Sequence, residues 1–195
     1  QLHAANITRG GEWIETRILA SGVRMNPWFQ ECSSRKIGAG ELMGFDTDLI
    51  GAYGICVDIS RTWLCGDGDP SPEQKEIYRL AHEQIVRNTE WLKPGLSFHD
   101  LTHKSLVYDS KEFRHYSVLY HGVGMCDEYP AIYFPEVWES FGYDGVLEPG
   151  MVICVESYLG RQSGGPGVKL EDQVLITETG HELLSRYPYE AVLLD

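Results

Sequence analysis

A chain of 195 residues with 43% hydrophobic content has the length and composition of one sizeable folded domain, which excludes a disordered or low-complexity polymer. Its 29 acidic against 16 basic residues, a formal charge of -13 with no basic run or stripe, exclude nucleic acid and an anionic membrane as main partners. The five cysteines, 32, 56, 65, 126 and 154, form no CxxC pair, and no apolar run is long enough to span a bilayer, so a reduced, cytoplasmic setting is expected.

The opening QLHAANITRGGEW has no initiator Met, and the expectation is that an upstream part of the protein precedes it. Glu15 to Ala20 reads as a strand ending at Ser21-Gly22, and Gly38-Ala39-Gly40 introduces a second run, Glu41 to Leu49. Gly51 and Gly54 then turn the chain into Tyr53 to Leu64, a hairpin pattern. Ser71-Pro72-Glu73-Gln74 carries the Ser cap, first-turn Pro and third-position Gln of a helix start; Ile77, Leu80, Ala81, Ile85 and Leu92 continue it towards Pro94-Gly95. Ser97 caps a shorter helix expected to reach about Tyr108. Val118 to Val123, Met151 to Tyr158 and Val168 to Thr177 read as strands, with a Pro- and aromatic-rich loop from Asp127 to Trp138. The mixture predicts an α+β fold in one domain, residues 1–195, without repeats or linkers.

Three aspartates stand in FDTDLIGAYGICVDISRTW, where a core strand normally carries no charge. Side chains at i and i+2 share a strand face, so Asp46 and Asp48 point one way and a hairpin turning near Gly51 brings Asp58 opposite them. Three converging carboxylates repel unless a cation compensates, and Arg61 alone is near in sequence. Glu156 closes the apolar MVICVE, Glu171 interrupts VKLEDQVLI, and His121 ends an apolar strand before Gly122-Val123-Gly124. Five carboxylates and one imidazole make an oxygen-rich donor set suited to iron, manganese, cobalt or zinc.

The order Asp, Asp, His, Glu, Glu within DISRT, HGVG, LEPGMVICVE and KLEDQVLIT resembles the creatinase/prolidase/methionine aminopeptidase family. That resemblance runs from about residue 13 onward and implies the pita-bread fold of a metalloenzyme domain. It further implies Asp58, His121, Glu156 and Glu171 as metal ligands with an Asp from the preceding strand, a homodimer, and an additional N-terminal domain.

The departures from the pattern narrow it. The family spacing puts the first aspartate at Thr47, which Asp46 and Asp48 straddle; either the hairpin register has shifted or one aspartate is an added ligand. Glu128, preceded by Asp127, stands where the hydrolases have a second His, and Pro27-Trp28 stands where they have another. Both histidines that assist amide hydrolysis are thus replaced. NPWFQEC, the aspartate hairpin and HGVGMCDEYP together resemble the dimethylsulfoniopropionate lyase branch, which cleaves a zwitterionic sulfonium to dimethyl sulfide and acrylate. This implies iron as the metal, Asp46, Asp48, Asp58, His121, Glu156 and Glu171 as its ligands, and Asp127 as the base. A diffuse sulfonium cation is favoured near aromatic faces, which selects Trp28 and Tyr116, and more weakly Tyr120, Tyr129, Tyr133 and Trp138. Cys56, Cys126 and Cys154 read as small buried residues. A metal-dependent aminopeptidase or prolidase-like hydrolase is the alternative, should another residue replace the missing histidines. A catalytically inactive binding module ranks third, because the ligand set is intact.

Overall fold

The computed structural model describes residues 1–28 and 30–195, so Phe29 of the NPWFQEC stretch lies outside the described residues. Among those residues ten strands, all paired antiparallel, make one sheet. They are β1 (Trp13–Ile14), β2 (Ile18–Ser21), β3 (Leu42–Ile50), β4 (Cys56–Leu64), β5 (Phe113–Arg114), β6 (Val118–Gly122), β7 (Ala131–Tyr133), β8 (Val152–Arg161), β9 (Gly167–Ile176) and β10 (His181–Leu183). The main order is β1-β3-β4-β9-β8-β6-β7, with β2 on β3, β5 on β8 and β10 on β9. Five helices accompany it: α1 (Leu2–Ile7), α2 (Pro72–Thr89), α3 (Phe98–Lys104), α4 (Trp138–Phe141) and α5 (Ala191–Leu194).

α2 starts where its cap predicts. Ser71 Oγ accepts from the Gln74 amide and the Gln74 side chain accepts from the Ser71 amide, closing a reciprocal box around two otherwise orphaned donors. The helix lays Ile77, Tyr78, Ala81 and Ile85 onto β8 and β9, against Val155, Leu159, Leu170 and Val174. It ends at Thr89, short of Leu92, which nevertheless stays buried through a tight turn; the apolar spacing outlasts the helix that it announced.

α3 also stops early, at Lys104 rather than Tyr108. The cause is a competing set of hydrogen bonds: Asn88 and Gln84 on α2 capture both the amide and the carbonyl of Leu106, pulling the chain out of the helix. The stretch expected to be a loop from Asp127 contains β7, which buries Ile132 and pairs with β6. β2 begins at Ile18 rather than Glu15, and β4 at Cys56 rather than Tyr53, whose φ of 63° places it in the turn.

The helix side of β8 and β9 forms the main core. On the opposite side a smaller apolar group, Ala20, Met25 and Tyr158 with Ile18, Trp28 and Tyr116 packed against it, covers the sheet. Both faces of β8 and β9 are therefore buried, and any charge on the second face is withdrawn from solvent. That second face carries the candidate site.

Candidate metal centre and the loop beside it

Register alone gathers the predicted acids. Asp48 lies directly across from Asp58 in the β3–β4 pair, Glu156 across from Glu171 in the β8–β9 pair, and Ser60, two residues beyond Asp58, across from Glu171. His121 on β6 faces Cys154, two residues before Glu156. Asp46, Asp48, Asp58, His121, Glu156 and Glu171 thus converge in one buried cluster, each at most 7% exposed. Thr47 faces away, its hydroxyl donating to the Thr16 carbonyl, while the Thr16 hydroxyl donates to Asp48 Oδ2 at 2.6 Å.

The imidazole is oriented by its neighbours. His121 Nδ1 lies 3.1 Å from the Gly122 carbonyl, a contact that orients the ring with Nε2 facing the cluster. Nε2 lies 3.2 Å from Glu156, 3.4 Å from Glu171 and 3.6 Å from Asp58. Two groups of ligand atoms each fit within 4.8 Å, Asp58, His121, Cys154 and Glu171 in one and Asp46, Asp48 and Asp58 in the other; Asp58 belongs to both. Cys154, read from sequence as a packing residue, is buried in this cluster, and burial pushes its thiol well up. Cys126, by contrast, is exposed and Cys56 is partly so.

Lysine 169 was not among the sequence candidates. It shares the inward face of β9 with Glu171, and its ammonium lies 2.6 Å from Glu156, 2.9 Å from Glu171 and 3.3 Å from Asp46. An i, i+2 relation to a proposed ligand was the available signal, as it was for Cys154 beside Glu156. Arg61 does not serve the three aspartates as its place in the sequence suggested. It points to the other side of the sheet, pairing with Asp172 at 2.7 Å and donating to the Tyr187 carbonyl.

The charge balance explains what the cluster lacks. Burial raises the Asp46 carboxyl to about 8, with Lys169 opposing and the neighbouring glutamates reinforcing. Burial and then the charges of Glu171 and Asp46 push Asp58 well up. Burial also pushes Glu171 up, but Lys169 and His121 outweigh it and hold that carboxylate below its usual range. Asp46 Oδ1, Asp58 Oδ1 and Glu171 Oε1 are buried without a hydrogen-bond partner, and orphaned carboxylate oxygens in a protein interior are what a cation satisfies. The donor set fits a divalent first-row metal.

Beside the cluster, the loop after β6 brings Asp127. Gly122 makes this possible, since a Cβ there would meet the Tyr129 carbonyl at 2.2 Å, so only glycine lets the returning loop pack on the strand. Asp127 is half-buried, its Oδ1 has no hydrogen-bond partner, and burial followed by the nearby Asp48 charge raises its pKa to about 6. Glu128, held at a φ of 54°, accepts a hydrogen bond from the Tyr116 hydroxyl at 3.2 Å. Tyr116 stacks on Trp28 with centroids 4.6 Å apart, and a cleft of about 400 Å³ opens on Trp28, Tyr158 and His115. The weaker aromatic candidates make their contacts elsewhere: Tyr120 bonds Ser105 and Asn88 on the helix side, Tyr129 stacks on Tyr143, Tyr133 meets Phe141, and Trp138 meets His99 and His103.

Comparison with known proteins follows the same lines. Residues 1–178 match Metallopeptidase family M24. The dimethylsulfoniopropionate lyase DddP of Roseovarius nubinhibens is 53% identical over 194 residues, covering 99% of this chain and 44% of that protein. The DddP of Roseobacter denitrificans is 50% identical over 196 residues, covering 99% and 43%. The chain thus spans less than half the length of these lyases. The prolidase from Pyrococcus furiosus superposes with a TM-score of 0.74 at 32% identity, over 92% of this chain and 51% of that one. With acids, imidazole and pita-bread sheet in that arrangement and a match across most of its length, the chain belongs to metallopeptidase family M24.

Proposed function

We propose that this chain is the catalytic part of a metal-dependent lyase that cleaves dimethylsulfoniopropionate to dimethyl sulfide and acrylate. The observation that carries the reading is Asp127, a carboxylate with a free buried oxygen at the edge of the acid cluster, on the loop where Glu128 stands in place of a hydrolytic histidine. Similarity at 50–53% identity to two proteins named for this reaction supports it.

When bound, a cation held by Asp46, Asp48, Asp58, His121, Glu156 and Glu171 supplies positive charge for the substrate carboxylate and for the charge that develops beside it. Asp127 then takes the proton from the carbon next to that carboxylate. The C–H electron pair becomes the second bond of acrylate, the C–S bond breaks, and its pair leaves on sulfur as neutral dimethyl sulfide. No general acid is needed, and a base whose pKa stands near 6 is more basic than an ordinary aspartate while staying ionised at neutral pH. Trp28 and Tyr116, stacked beside the cluster, offer an aromatic wall to the sulfonium end.

We infer iron as the native metal from the resemblance to the lyase branch; the oxygen-rich donor set by itself suits iron, manganese, cobalt and zinc alike. A homodimer is inferred as well, in keeping with the exposed Tyr53, Met125 and Tyr129, together with a further N-terminal domain and a cytoplasmic setting that suits five free cysteines. No helix among the described residues is long and apolar enough to cross a membrane. The test is to incubate the metal-loaded whole protein with dimethylsulfoniopropionate and measure dimethyl sulfide by gas chromatography. Release of dimethyl sulfide with no cleavage of a proline dipeptide in the presence of manganese is expected. Dipeptide turnover without dimethyl sulfide would install the hydrolase reading instead.

A further inference from the structure

The Lys169 ammonium is a cation in the middle of a cation-binding cluster. Its side chain is 1% exposed, and it touches three of the six proposed ligands, Asp46, Glu156 and Glu171, while reaching neither Asp48 nor Asp58 at salt-bridge distance. Its backbone is fixed: the Lys169 amide donates to Thr62 Oγ1 at 3.1 Å and the Thr62 hydroxyl donates to the Lys169 carbonyl at 2.8 Å, locking β9 to β4 at this register. On its other side the ammonium faces aromatic rings, 5.4 Å from the Tyr116 centroid and 5.8 Å from that of Trp28. A long flexible side chain is thus confined between an acid wall and an aromatic wall and almost fully buried.

We propose that Lys169 is a positioning residue, a built-in counter-cation that keeps Asp46, Glu156 and Glu171 assembled when no metal is bound, at the expense of metal affinity. Five carboxylates converging without it repel one another, and a buried like-charge group of that size cannot stay ionised and ordered together. An ammonium held within 3.3 Å of three of them removes much of that repulsion. The same fixed charge repels an incoming metal ion, so the site gives up binding strength to remain folded and open while empty. The proposal rests on the metal-centre reading and not on the lyase reading, because it concerns the cluster before any substrate arrives.

The experiment uses the whole protein, stripped with chelator and titrated with Mn2+ alone, with melting temperature and Mn2+ dissociation constant as readouts. In Lys169→Met the metal-free melting temperature should fall by roughly 5–10 °C, and saturating Mn2+ should recover most of that loss, giving a larger metal-induced shift than in the wild type. The Mn2+ dissociation constant should fall by about tenfold or more, the change expected when a fixed like charge leaves the neighbourhood of a bound ion. Lys169→Arg, which keeps the charge, should restore wild-type behaviour in both. Equal metal-induced shifts in wild type and Lys169→Met, or weaker Mn2+ binding in the variant, would overturn the proposal. So would a Lys169→Met protein that fails to fold even in saturating Mn2+, since the ammonium would then serve the fold irrespective of any cation. No substrate is present in the titration, so a failed elimination assay leaves this result standing, and the converse holds too.

Discussion

Two adjacent residues on one strand, Glu171 and Asp172, are both buried acids, yet their surroundings differ in kind. Asp172, on the helix side, receives Arg61 at 2.7 Å and the Tyr189 hydroxyl, with the Arg61 guanidinium 4.4 Å from the Tyr189 ring. Glu171, on the inward side, shares Lys169 and His121 with three other acids, Asp46, Asp58 and Glu156, and keeps Oε1 without a hydrogen-bond partner. The first is a completed ion pair that fastens the C-terminal segment to the sheet. The second belongs to a cluster with fewer internal cations than acids, and that shortfall, more than burial or charge alone, is what makes it the candidate metal centre.

The sharpest way to break this contrast is to remove each acid in turn. Glu171→Ala, and likewise Asp58→Ala, should lose bound metal to background by elemental analysis, and turnover with it, by more than the tenfold to hundredfold typical of residues one shell further out. Asp172→Ala should keep its metal but lose about 3–5 kcal/mol of stability in a denaturant melt, because Arg61 is left as an uncompensated buried charge. If Asp172→Ala sheds metal while Glu171→Ala retains it, the two faces of β9 have been assigned the wrong way round.

Asp127→Asn comes next in size. The change keeps the shape of the side chain and removes its proton-accepting power, so turnover should drop by about a hundredfold with metal content unchanged. A hydrolase using a water activated in the cluster would lose far less. The pH profile gives a second reading. A base acts only when ionised, so kcat/KM should fall as pH drops through about 6, or lower still if a cation beside Asp48 draws the Asp127 pKa down. That acid limb should vanish in Asp127→Asn. A variant releasing dimethyl sulfide at the wild-type rate removes Asp127 from the mechanism.

How much of this was legible in the sequence follows the reach of the interactions. Asp46, Asp48 and Asp58 could be placed together because strand alternation and a short turn are local rules, and the structure returns Asp48 opposite Asp58. The Ser71 and Ser97 caps were legible for the same reason. Helix ends were not, because what stopped α3 was Asn88, 18 residues away. Lys169 and Cys154 were passed over because β8 and β9 are buried on both faces, so the polar and apolar alternation that identifies an inward residue is missing there. Arg61 is near the aspartates in sequence, but it stands three residues beyond Asp58, and strand alternation puts it on the opposite face. Its actual partner is 111 positions further along.

The smallest expected effect concerns the aromatic wall. Trp28 stacks one ring face on Tyr116 at an interplanar angle of 17° and meets Tyr158 edge-on at 4.5 Å, so much of its surface is already engaged. Its ring also lies 5.8 Å from the Lys169 ammonium, a cation that competes for the same quadrupole. Both facts place any contribution to holding a sulfonium in the lower half of the usual cation–π range, about 0.5–1 kcal/mol. Trp28→Ala should therefore raise KM by roughly two- to fivefold with kcat little changed, the signature of an interaction made equally in ground and transition states. Trp28→Phe, which keeps a ring with a weaker quadrupole, should fall between. Steady-state kinetics on dimethylsulfoniopropionate decide the matter. An unchanged KM with a collapsed kcat would show that Trp28 acts on the reacting atoms, most directly by holding Tyr116 and, through its hydroxyl, the Glu128 carboxylate beside the base.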